Sequence, residues 1–263
     1  MDKKSFTNVL TELKKPHAAL RDQERFDTAY VKLHFDTFEK VLLDNSFSKQ
    51  QEQTILTLFG SDFHKYRTYL EQTSGVLEAE YKQKTLEKGK VDLRYIKKTI
   101  LFHKFPKLVR DEIKAAAIIQ TDKLLFIGSG AFPISSIIYN KYSQCSVDCL
   151  ELLADRVDES RQLIHKLKLE KAIRIRHGHG QNFSNDNYTV IVVALQIESK
   201  KEVLEHIAAE MPSGTRVLCR VQSGLGKIFN ADQENNEMYD KFVLQERVSK
   251  DDNIITTLIL KTK

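Results

Sequence analysis

The sequence contains no tryptophan, and no apolar run in it approaches the roughly 18 residues needed to cross a lipid bilayer. Its first ten residues, MDKKSFTNVL, also lack the apolar core that a secretory signal requires. These two absences exclude the patterns of membrane and secreted proteins. The sequence therefore predicts a cytoplasmic protein with no membrane partner.

Cysteine is scarce as well. The three cysteines are Cys145, Cys149 and Cys219, and they form no C-x-x-C pair. Without such a pair, the spacing typical of a structural zinc site or a disulfide framework is missing. Because Cys145 and Cys149 lie around an apolar segment, the sequence favours a packing role for them and predicts no metal site.

The sequence also has only a small excess of positive charge, with a net charge of +5. Lysine and arginine are interleaved with aspartate and glutamate along the chain, which is typical of a solvated surface. No aromatic cluster accompanies the basic residues, although single-strand binding proteins use such clusters for base stacking. The sequence thus predicts no nucleic-acid partner.

The first 119 residues contain only three glycines and two prolines, and their apolar residues recur at helical spacing. One such stripe contains Val31, Phe35, Phe38 and Leu42, and another contains Val109, Ile113, Ala116 and Ala117. This part of the chain, residues 1–119, is predicted to be a helical domain that caps a substrate site.

The pattern of apolar residues changes at Lys123, where short apolar runs alternate with helical segments. The predicted strands are KLLFIG, CSVDCLE, KAIRIRH, YTVIVVAL and GTRVLCRV, and the predicted helices span residues 133–142, 155–167 and 200–210. Strands that alternate with helices indicate a parallel sheet covered on both faces. Residues 120–263 are therefore predicted to form a Rossmann-like α/β domain.

The end of the chain departs from this alternation. The runs KFVLQERVS and IITTLILKT are joined by KDDN with no helix between them, which predicts an antiparallel hairpin. An NAD-binding Rossmann sheet usually stays parallel. A terminal antiparallel pair instead resembles the fold of methyltransferases that use S-adenosylmethionine (SAM).

The turn after the first strand is the main candidate for a cofactor site. Gly128, Ser129 and Gly130 give G-S-G, and Pro133 stands where a G-x-G-x-x-G motif has its third glycine. Glycines let the backbone approach a ligand closely, and the following helix begins with free N–H groups. Phe132 and Pro133 are expected to wall this site. The alternatives are a turn without a ligand and plain core packing of Phe132 and Pro133.

An acid after the second strand supports the cofactor interpretation. Glu151 lies 21 residues beyond Gly130, where doubly wound folds place a carboxylate that binds ribose hydroxyls. The alternative is an ordinary exposed acid at a strand end. The loop after the third strand, with Gly178 and His179, lies where such folds contact adenine. A pair of histidines there, His177 and His179, is more typical of polar loop residues than of a metal site.

Three segments carry a resemblance to a known family. LLFIGSGAFPISS resembles the glycine-rich segment V-G-S-G-P-L-P-[LM]-[TS]-S of nicotianamine synthases, and FPKLVRDEIKAA resembles their Y-L-K-L-S-x-L-E-x stretch. The third segment, VLCRVQSGLGKIFN, follows the plant sequence R-S-A-H-G-A-R-A-F less well. It is similar in particular to R-F-x-x-G-[IL]-x-x-I-F-N of bacterial enzymes that make staphylopine-type and pseudopaline-type opine metallophores.

The resemblance covers roughly residues 100–235 and has departures. Ala131 replaces a proline, Phe105 replaces a tyrosine and Gly226 replaces an arginine of the plant pattern. The loss of the tyrosine removes any role for a hydroxyl at Phe105. In residues 1–99 the likeness is confined to the architecture, a helical domain that precedes a SAM-binding domain.

The resemblance implies a particular use of SAM. Members of this family transfer its 3-amino-3-carboxypropyl (aminobutyrate) group to an amine and release 5′-methylthioadenosine. The expected acceptor is the α-amine of an amino acid, with histidine as the first candidate, and the enzyme itself needs no metal. A SAM-dependent small-molecule methyltransferase and a SAM-binding module without turnover are the alternatives. The sequence leaves the oligomeric state open, with a homodimer among the candidates.

The acceptor amine must lose a proton before it attacks, so a carboxylate is expected near it. By resemblance Glu112, in KLVRDE, is the first choice for this base and Glu80 the second, with Glu78 competing for the second place. The alternative for Glu112 is a surface glutamate paired with a neighbouring lysine or arginine, and the alternative for Glu80 is a solvated helix face.

Two further residues are candidates for the substrate site. Arg220 ends the fifth predicted strand, where a guanidinium can bind a substrate carboxylate in a bidentate manner. The alternative for Arg220 is a structural salt bridge. Gly224 would let the backbone after this strand pass close to the ligand.

Overall fold

The computed structural model describes most of the chain. The described residues are 5–21, 27–43, 45, 47–59, 62, 65, 68, 76, 83–87, 105–197, 199–222, 225, 239–249 and 255–263. For residues 28, 31, 32, 35, 36, 39, 42 and 43 the description is confined to the backbone. The chain divides into two compact units, of which the first comprises residues 1–77, 222–233 and 251–254 and the second comprises the rest.

In the part of the first unit that the structure describes, the continuous helices are α1 (Phe6–Arg21), α2 (Thr28–Leu43) and α3 (Lys49–Phe59), and residues 65, 68 and 76 are also helical. In α1 the buried Val9, Leu13 and Leu20 repeat every four and seven residues, which places them on one face of the helix. Phe38 of α2 is buried and contacts Phe59 of α3 edge to face, with 5.5 Å between ring centroids. The helical texture predicted for this part of the chain is confirmed over the described residues.

The second unit is built on a seven-stranded sheet in the order β3-β2-β1-β4-β5-β7-β6. The strands are β1 (Lys123–Ile127), β2 (Ser146–Glu151), β3 (Ile173–His177), β4 (Val190–Val193), β5 (Arg216–Gln222), β6 (Phe242–Ser249) and β7 (Ile255–Thr262). β1 to β5 pair in parallel, whereas β6 and β7 pair antiparallel. This mixed α/β sheet with a terminal antiparallel hairpin confirms the predicted fold class.

In the described part of the second unit, the helices that accompany the sheet are α4 (Pro106–Ala115), α5 (Ile134–Ser143), α6 (Ala154–Lys166) and α7 (Lys200–Glu210). Residues 83–87 are also helical. The division at residue 119 stays a prediction, but α4, which precedes it, belongs to the second unit and contacts α5, β6 and β7.

The core lies on both faces of the sheet because successive side chains of a strand point to opposite sides. Leu124 and Phe126 of β1 pack in a cluster with residues of α4, α5 and α6. Leu125 and Ile127 of the same strand pack in a second cluster with residues of α7. The near-continuous apolar runs of the sequence thus correspond to strands that are buried on both faces.

The strand order reverses direction between β1 and β4, which are neighbours in the sheet although β2 and β3 separate them in the chain. In open α/β sheets, ligands bind in the crevice at the carboxyl ends of the strands at this point. The glycine turn follows β1 directly, so the fold places it at this crevice.

Candidate active site

The turn after β1 requires glycine at two positions. Gly128 and Gly130 have φ values of +82° and +69°, in the left-handed region that other residues rarely adopt. A Cβ atom on Gly128 would also collide with the side chain of Ile197. The Gly128 N–H donates to the Leu150 carbonyl at 2.8 Å, which fixes the start of the turn to β2.

Glu151 lies directly against this turn. Its Oε2 accepts a hydrogen bond from the Gly130 N–H at 2.8 Å, and its Oε1 accepts one from the Leu153 N–H at 3.1 Å. The residue is only 5% exposed, so it is not the ordinary exposed strand-end acid that was the alternative. Ribose binding by Glu151 stays a prediction, with one lone pair on each oxygen unaccounted for by these two bonds.

The other residues of the turn are buried. Ser129 Oγ is buried and has no hydrogen-bond partner among the described residues, so it is suited to a polar group of a ligand. Phe132 packs in the core cluster above β1, and Pro133 is the last residue before α5. For Phe132 this packing favours the core role over that of a pocket wall, and its cofactor role stays a prediction.

The loop after β3 lies beside Glu151. The Gly178 N–H donates to the Glu151 carbonyl at 3.0 Å, and a Cβ on Gly178 would come within 2.9 Å of Leu150 Cδ1. His179 is exposed. The structure thus brings Gly178 next to Glu151. The cofactor roles of Gly178 and His179 stay predictions.

Glu112 and Arg220, for which the sequence predicted separate roles, form a buried ion pair. Arg220 Nε donates to Glu112 Oε1 and Arg220 Nη2 donates to Glu112 Oε2, each at 2.9 Å. Glu112 is 0% exposed and Arg220 is 4% exposed. The pair joins α4 to β5.

Three hydroxyl groups complete the surroundings of this pair. Tyr139 OH donates to Glu112 Oε2 and Thr257 Oγ1 donates to Glu112 Oε1, each at 2.5 Å. Arg220 Nη1 donates to Ser135 Oγ at 3.0 Å, in the first turn of the helix that follows the glycine turn. We call these residues, Glu112, Arg220, Tyr139, Thr257 and Ser135, the buried polar cluster.

The pKa values of Tyr139 and Arg220 determine which groups of the buried polar cluster carry protons and charge. Burial raises the pKa of Tyr139 well above its usual value, and the Glu112 carboxylate raises it further, so the hydroxyl remains a donor. Burial by itself would lower the pKa of Arg220, but the adjacent Glu112 outweighs it and the pKa of Arg220 is raised. The guanidinium is therefore charged at all ordinary pH values.

This geometry bears on the two predicted roles, a base at Glu112 and a carboxylate clamp at Arg220. The Glu112 carboxylate already accepts four hydrogen bonds, which is about its full capacity, and none of its surface is exposed. Removing a substrate proton would require one of these donors to leave. For Arg220 the structure therefore favours the structural salt bridge over a carboxylate clamp. For Glu112 it favours a buried ion pair with a distant arginine, which is neither the predicted base nor the surface pair that was the alternative.

Two other predicted residues, Glu80 and Gly224, lie outside the described residues. Gly226 and the competing Glu78 also lie outside them.

Sequence reasoning missed Ser160. This serine of α6 is 0% exposed, and its Oγ donates to the Gly130 carbonyl at 2.7 Å. A signal was present, because Val157, Ser160 and Ile164 follow the helical spacing of a buried face. A serine in such a stripe needs a polar partner inside the protein.

Two expectations concerned absences. Over the described part of the chain, no group of three or more histidine, cysteine or acidic residues could hold a metal ion. The three cysteines are buried and form no disulfide. Among the helices that the structure describes, none has the length and apolar character needed to span a membrane.

Comparison with curated proteins gives relatives of one kind. L-histidine 2-aminobutanoyltransferase of Pseudomonas aeruginosa (strain UCBPP-PA14) is 29% identical over 155 residues, which cover 58% of this chain and 58% of that protein. The enzyme of the same name from Yersinia pestis is 25% identical over 126 residues, covering 48% and 47% of the two chains. The match thus spans a little over half of the length of the Pseudomonas relative.

Solved structures show the same fold over nearly the whole chain. A mutant of MtNAS crystallised in complex with S-adenosylmethionine has a TM-score of 0.85 and 19% identity, covering 96% of this chain and 97% of that one. MtNAS in complex with MTA and tNA has a TM-score of 0.84 and 18% identity, covering 98% and 97%. The family model described as nicotianamine synthase protein matches residues 50–263, which is more than half of the sequence. On this match, the chain belongs to the nicotianamine synthase family.

Proposed function

We propose that the protein transfers the 3-amino-3-carboxypropyl group of SAM to the α-amine of an amino acid, with histidine as the acceptor, and releases 5′-methylthioadenosine. The observation that carries the proposal is the similarity to L-histidine 2-aminobutanoyltransferases, at 29% identity over 155 residues. Membership of the nicotianamine synthase family supports the same reaction type. The product would be a precursor of an opine metallophore, whose amine, carboxylate and imidazole groups suit divalent transition metals.

The glycine turn supports SAM as the donor. A left-handed turn at Gly128 and Gly130, the carboxylate of Glu151 and the buried Ser129 hydroxyl together offer partners for a nucleoside with an amino-acid tail. A structural neighbour at a TM-score of 0.85 was crystallised with this compound. In the proposal, Glu151 accepts hydrogen bonds from the ribose, and the loop at Gly178 and His179 borders the adenine.

The choice of bond depends on position, since the sulfonium of SAM activates three carbons alike. The carbon that faces the amine in line, at about 3–3.5 Å, is the one attacked. In this proposal the site presents the γ-carbon of the aminobutyrate group and turns the methyl group away. The attack forms a C–N bond, breaks the C–S bond and leaves the electron pair on the sulfur of methylthioadenosine.

The amine must be deprotonated first, because α-amines have a pKa of about 8. Glu112 is engaged by four donors, so we assign it and Arg220 to the buried polar cluster and not to proton transfer. Glu80 is then the remaining candidate base, and Gly224 the remaining candidate for close approach to the substrate.

The cytoplasmic location, a homodimer and the lack of a metal in the enzyme are kept as expectations from the sequence.

One assay tests the reaction class. The protein is incubated with SAM and a panel of amino acids, including both enantiomers of histidine, and the adenosyl product is identified by mass spectrometry. Methylthioadenosine formation that depends on histidine is the expected result. S-adenosylhomocysteine in its place would establish the methyltransferase alternative, and the absence of both would leave a binding module.

A further inference from the structure

Ser160 makes an unusual hydrogen bond for a serine in the middle of a helix. Such serines commonly bond a carbonyl one turn earlier in their own helix. Ser160 instead donates to the Gly130 carbonyl at 2.7 Å, 30 residues away in the chain. The hydroxyl is buried at 0% exposure, so the bond crosses the interior between α6 and the glycine turn.

The Gly130 peptide groups are held from two sides. The Gly130 N–H donates to Glu151 Oε2 at 2.8 Å, while the Gly130 carbonyl accepts from Ser160. The other oxygen of Glu151 accepts from the Leu153 N–H at the start of α6. Three hydrogen bonds therefore connect the glycine turn, the end of β2 and helix α6. The charged Glu151 carboxylate accepts two of them, and the neutral Gly130 carbonyl accepts the third.

The turn has reason to need this restraint. Gly130 has a φ of +69°, and glycine reaches many other backbone conformations at little cost. A ligand-binding turn that samples several conformations binds more weakly, in proportion to the fraction of molecules in the competent one. A bond to the Gly130 carbonyl removes part of this freedom before the ligand arrives.

We propose that Ser160 is a positioning residue for the donor: its hydroxyl holds the Gly130 carbonyl so that the glycine turn is preformed for SAM. The inference rests on the proposed function, because it takes SAM as the ligand of the turn. Ser160 acts through Gly130, and its Oγ is occupied by that carbonyl. It therefore affects binding of the donor and leaves the chemistry of transfer unchanged.

Two substitutions separate the hydrogen bond from packing. Ser160→Ala removes the hydroxyl, whereas Ser160→Cys keeps nearly the same volume but supplies only a weak donor. If the turn then spends about a tenth of its time in the competent conformation, the dissociation constant of SAM rises about tenfold. Because the ground and transition states lose the same binding, KM for SAM rises by a similar factor and kcat does not change.

Ser143→Ala is the matched control. Ser143 is the last residue of α5. Its Oγ donates to the Tyr139 carbonyl at 2.8 Å and accepts from the Cys145 N–H. Removal of this hydroxyl costs two side-chain hydrogen bonds, one of them to a carbonyl in the same helix, without touching the glycine turn. We expect its SAM affinity to equal that of the wild type, even where its melting temperature falls.

The measurements are SAM affinity by isothermal titration calorimetry, KM and kcat for transfer, and the melting temperature of each variant. A weaker affinity in both Ser160 variants, with kcat retained and Ser143→Ala unaffected, supports the inference. Wild-type affinity in Ser160→Ala overturns it. So does wild-type affinity in Ser160→Cys with a loss in Ser160→Ala alone, since packing would then explain the effect.

The wild-type protein separates this inference from the proposed function. If the wild type binds no SAM, the proposed function fails and the inference fails with it. If the wild type binds SAM and transfers its aminobutyrate group while Ser160→Ala is unchanged, only the role of Ser160 is wrong.

Discussion

Arg220 Nε and Nη2 each lie 2.9 Å from one oxygen of Glu112, so the two side chains form a bidentate ion pair in the interior. The pair connects α4, which precedes the sheet in the chain, to β5. Because Arg220 also donates to Ser135, the same guanidinium holds the first turn of α5, the helix that leaves the glycine turn. An ion pair in this position determines how three elements meet.

The first prediction concerns this pair. Glu112→Gln or Arg220→Met leaves one polar group of the pair buried without its charge partner, which costs about 3–5 kcal/mol. The double variant Glu112→Met with Arg220→Met removes both charges and is expected to recover part of that loss. The recovery is incomplete because the buried hydroxyls of Tyr139 and Thr257 lose their acceptor. Urea unfolding of the four proteins measures the free energies.

Transfer activity of the double variant distinguishes the two roles of Glu112. If the ion pair is structural, activity returns together with stability, whereas a catalytic base would leave the double variant inactive. Asp111→Asn is the control on the same helix, because it breaks only the exposed pair with Lys107 at 3.2 Å. Such a surface pair contributes about 0.5 kcal/mol or less.

The second prediction concerns Glu151. Its carboxylate accepts from the Gly130 N–H and is expected to accept from ribose hydroxyls as well. Glu151→Ala should therefore weaken SAM binding by about 2–3 kcal/mol, which corresponds to roughly 30- to 150-fold, since hydrogen bonds to charged groups are the stronger ones. Titration calorimetry with SAM checks the value. Asp155→Asn, which changes an exposed acid in the first turn of the next helix, is expected to bind like the wild type.

The sequence predicted the fold well because each element had a local signal. The strand β4 is apolar throughout and β1 is apolar after Lys123, as expected of strands covered on both faces, and the final two runs had no helix between them. The helix predicted from Pro133 begins at Ile134, with Pro133 immediately before it. Ala117, which the helical spacing placed on the buried stripe of α4, is exposed at φ +47°, because the helix has ended.

The candidate site was harder to predict because its decisive contacts are distant in sequence. Glu112 and Arg220 are 108 positions apart, and Thr257 is 145 positions from Glu112. No periodicity links such residues, and a glutamate on a helix gives the same pattern whether it faces solvent or an arginine. The Gly130–Glu151 contact could be predicted because it follows from a turn and a strand end that are neighbours in every doubly wound sheet.

The third prediction concerns Asp122, which lies just before β1 and is 7% exposed. It accepts hydrogen bonds from the Ile119 N–H at 2.8 Å and Thr189 Oγ1 at 2.7 Å, and it pairs with Arg216. Burial by itself would raise the pKa of Asp122, but these partners outweigh it and the pKa is lowered. Because the unfolded chain then takes up the proton first, the stabilisation is complete above about pH 4 and is lost as the pH falls below it.

Asp122→Asn should therefore lower the free energy of unfolding by about 1–3 kcal/mol at pH 7. The difference from the wild type should narrow as the pH is lowered from 5 to 3, which urea unfolding at several pH values measures. Asp158→Asn, an exposed acid whose partner Arg161 is 3.4 Å away, is the control and should show little difference at any pH. If the difference in the free energy of unfolding between the wild type and Asp122→Asn keeps its size down to pH 3, the charge of Asp122 does not contribute to stability.

The last prediction concerns the three cysteines, all of which are buried and none of which forms a disulfide. Burial raises the pKa of Cys149 to about 12, with its Sγ 3.1 Å from Ser136 Oγ, and burial also raises the pKa of Cys145. Because the thiolate is the reactive form, Cys149 has almost none of it at pH 8 and is also shielded from reagent. The native protein should therefore give less than one equivalent of fast reaction with an aromatic disulfide reagent, and three equivalents in guanidinium chloride. A fast equivalent in the native protein at pH 8 would show that one of these cysteines is accessible, and mass mapping would identify it.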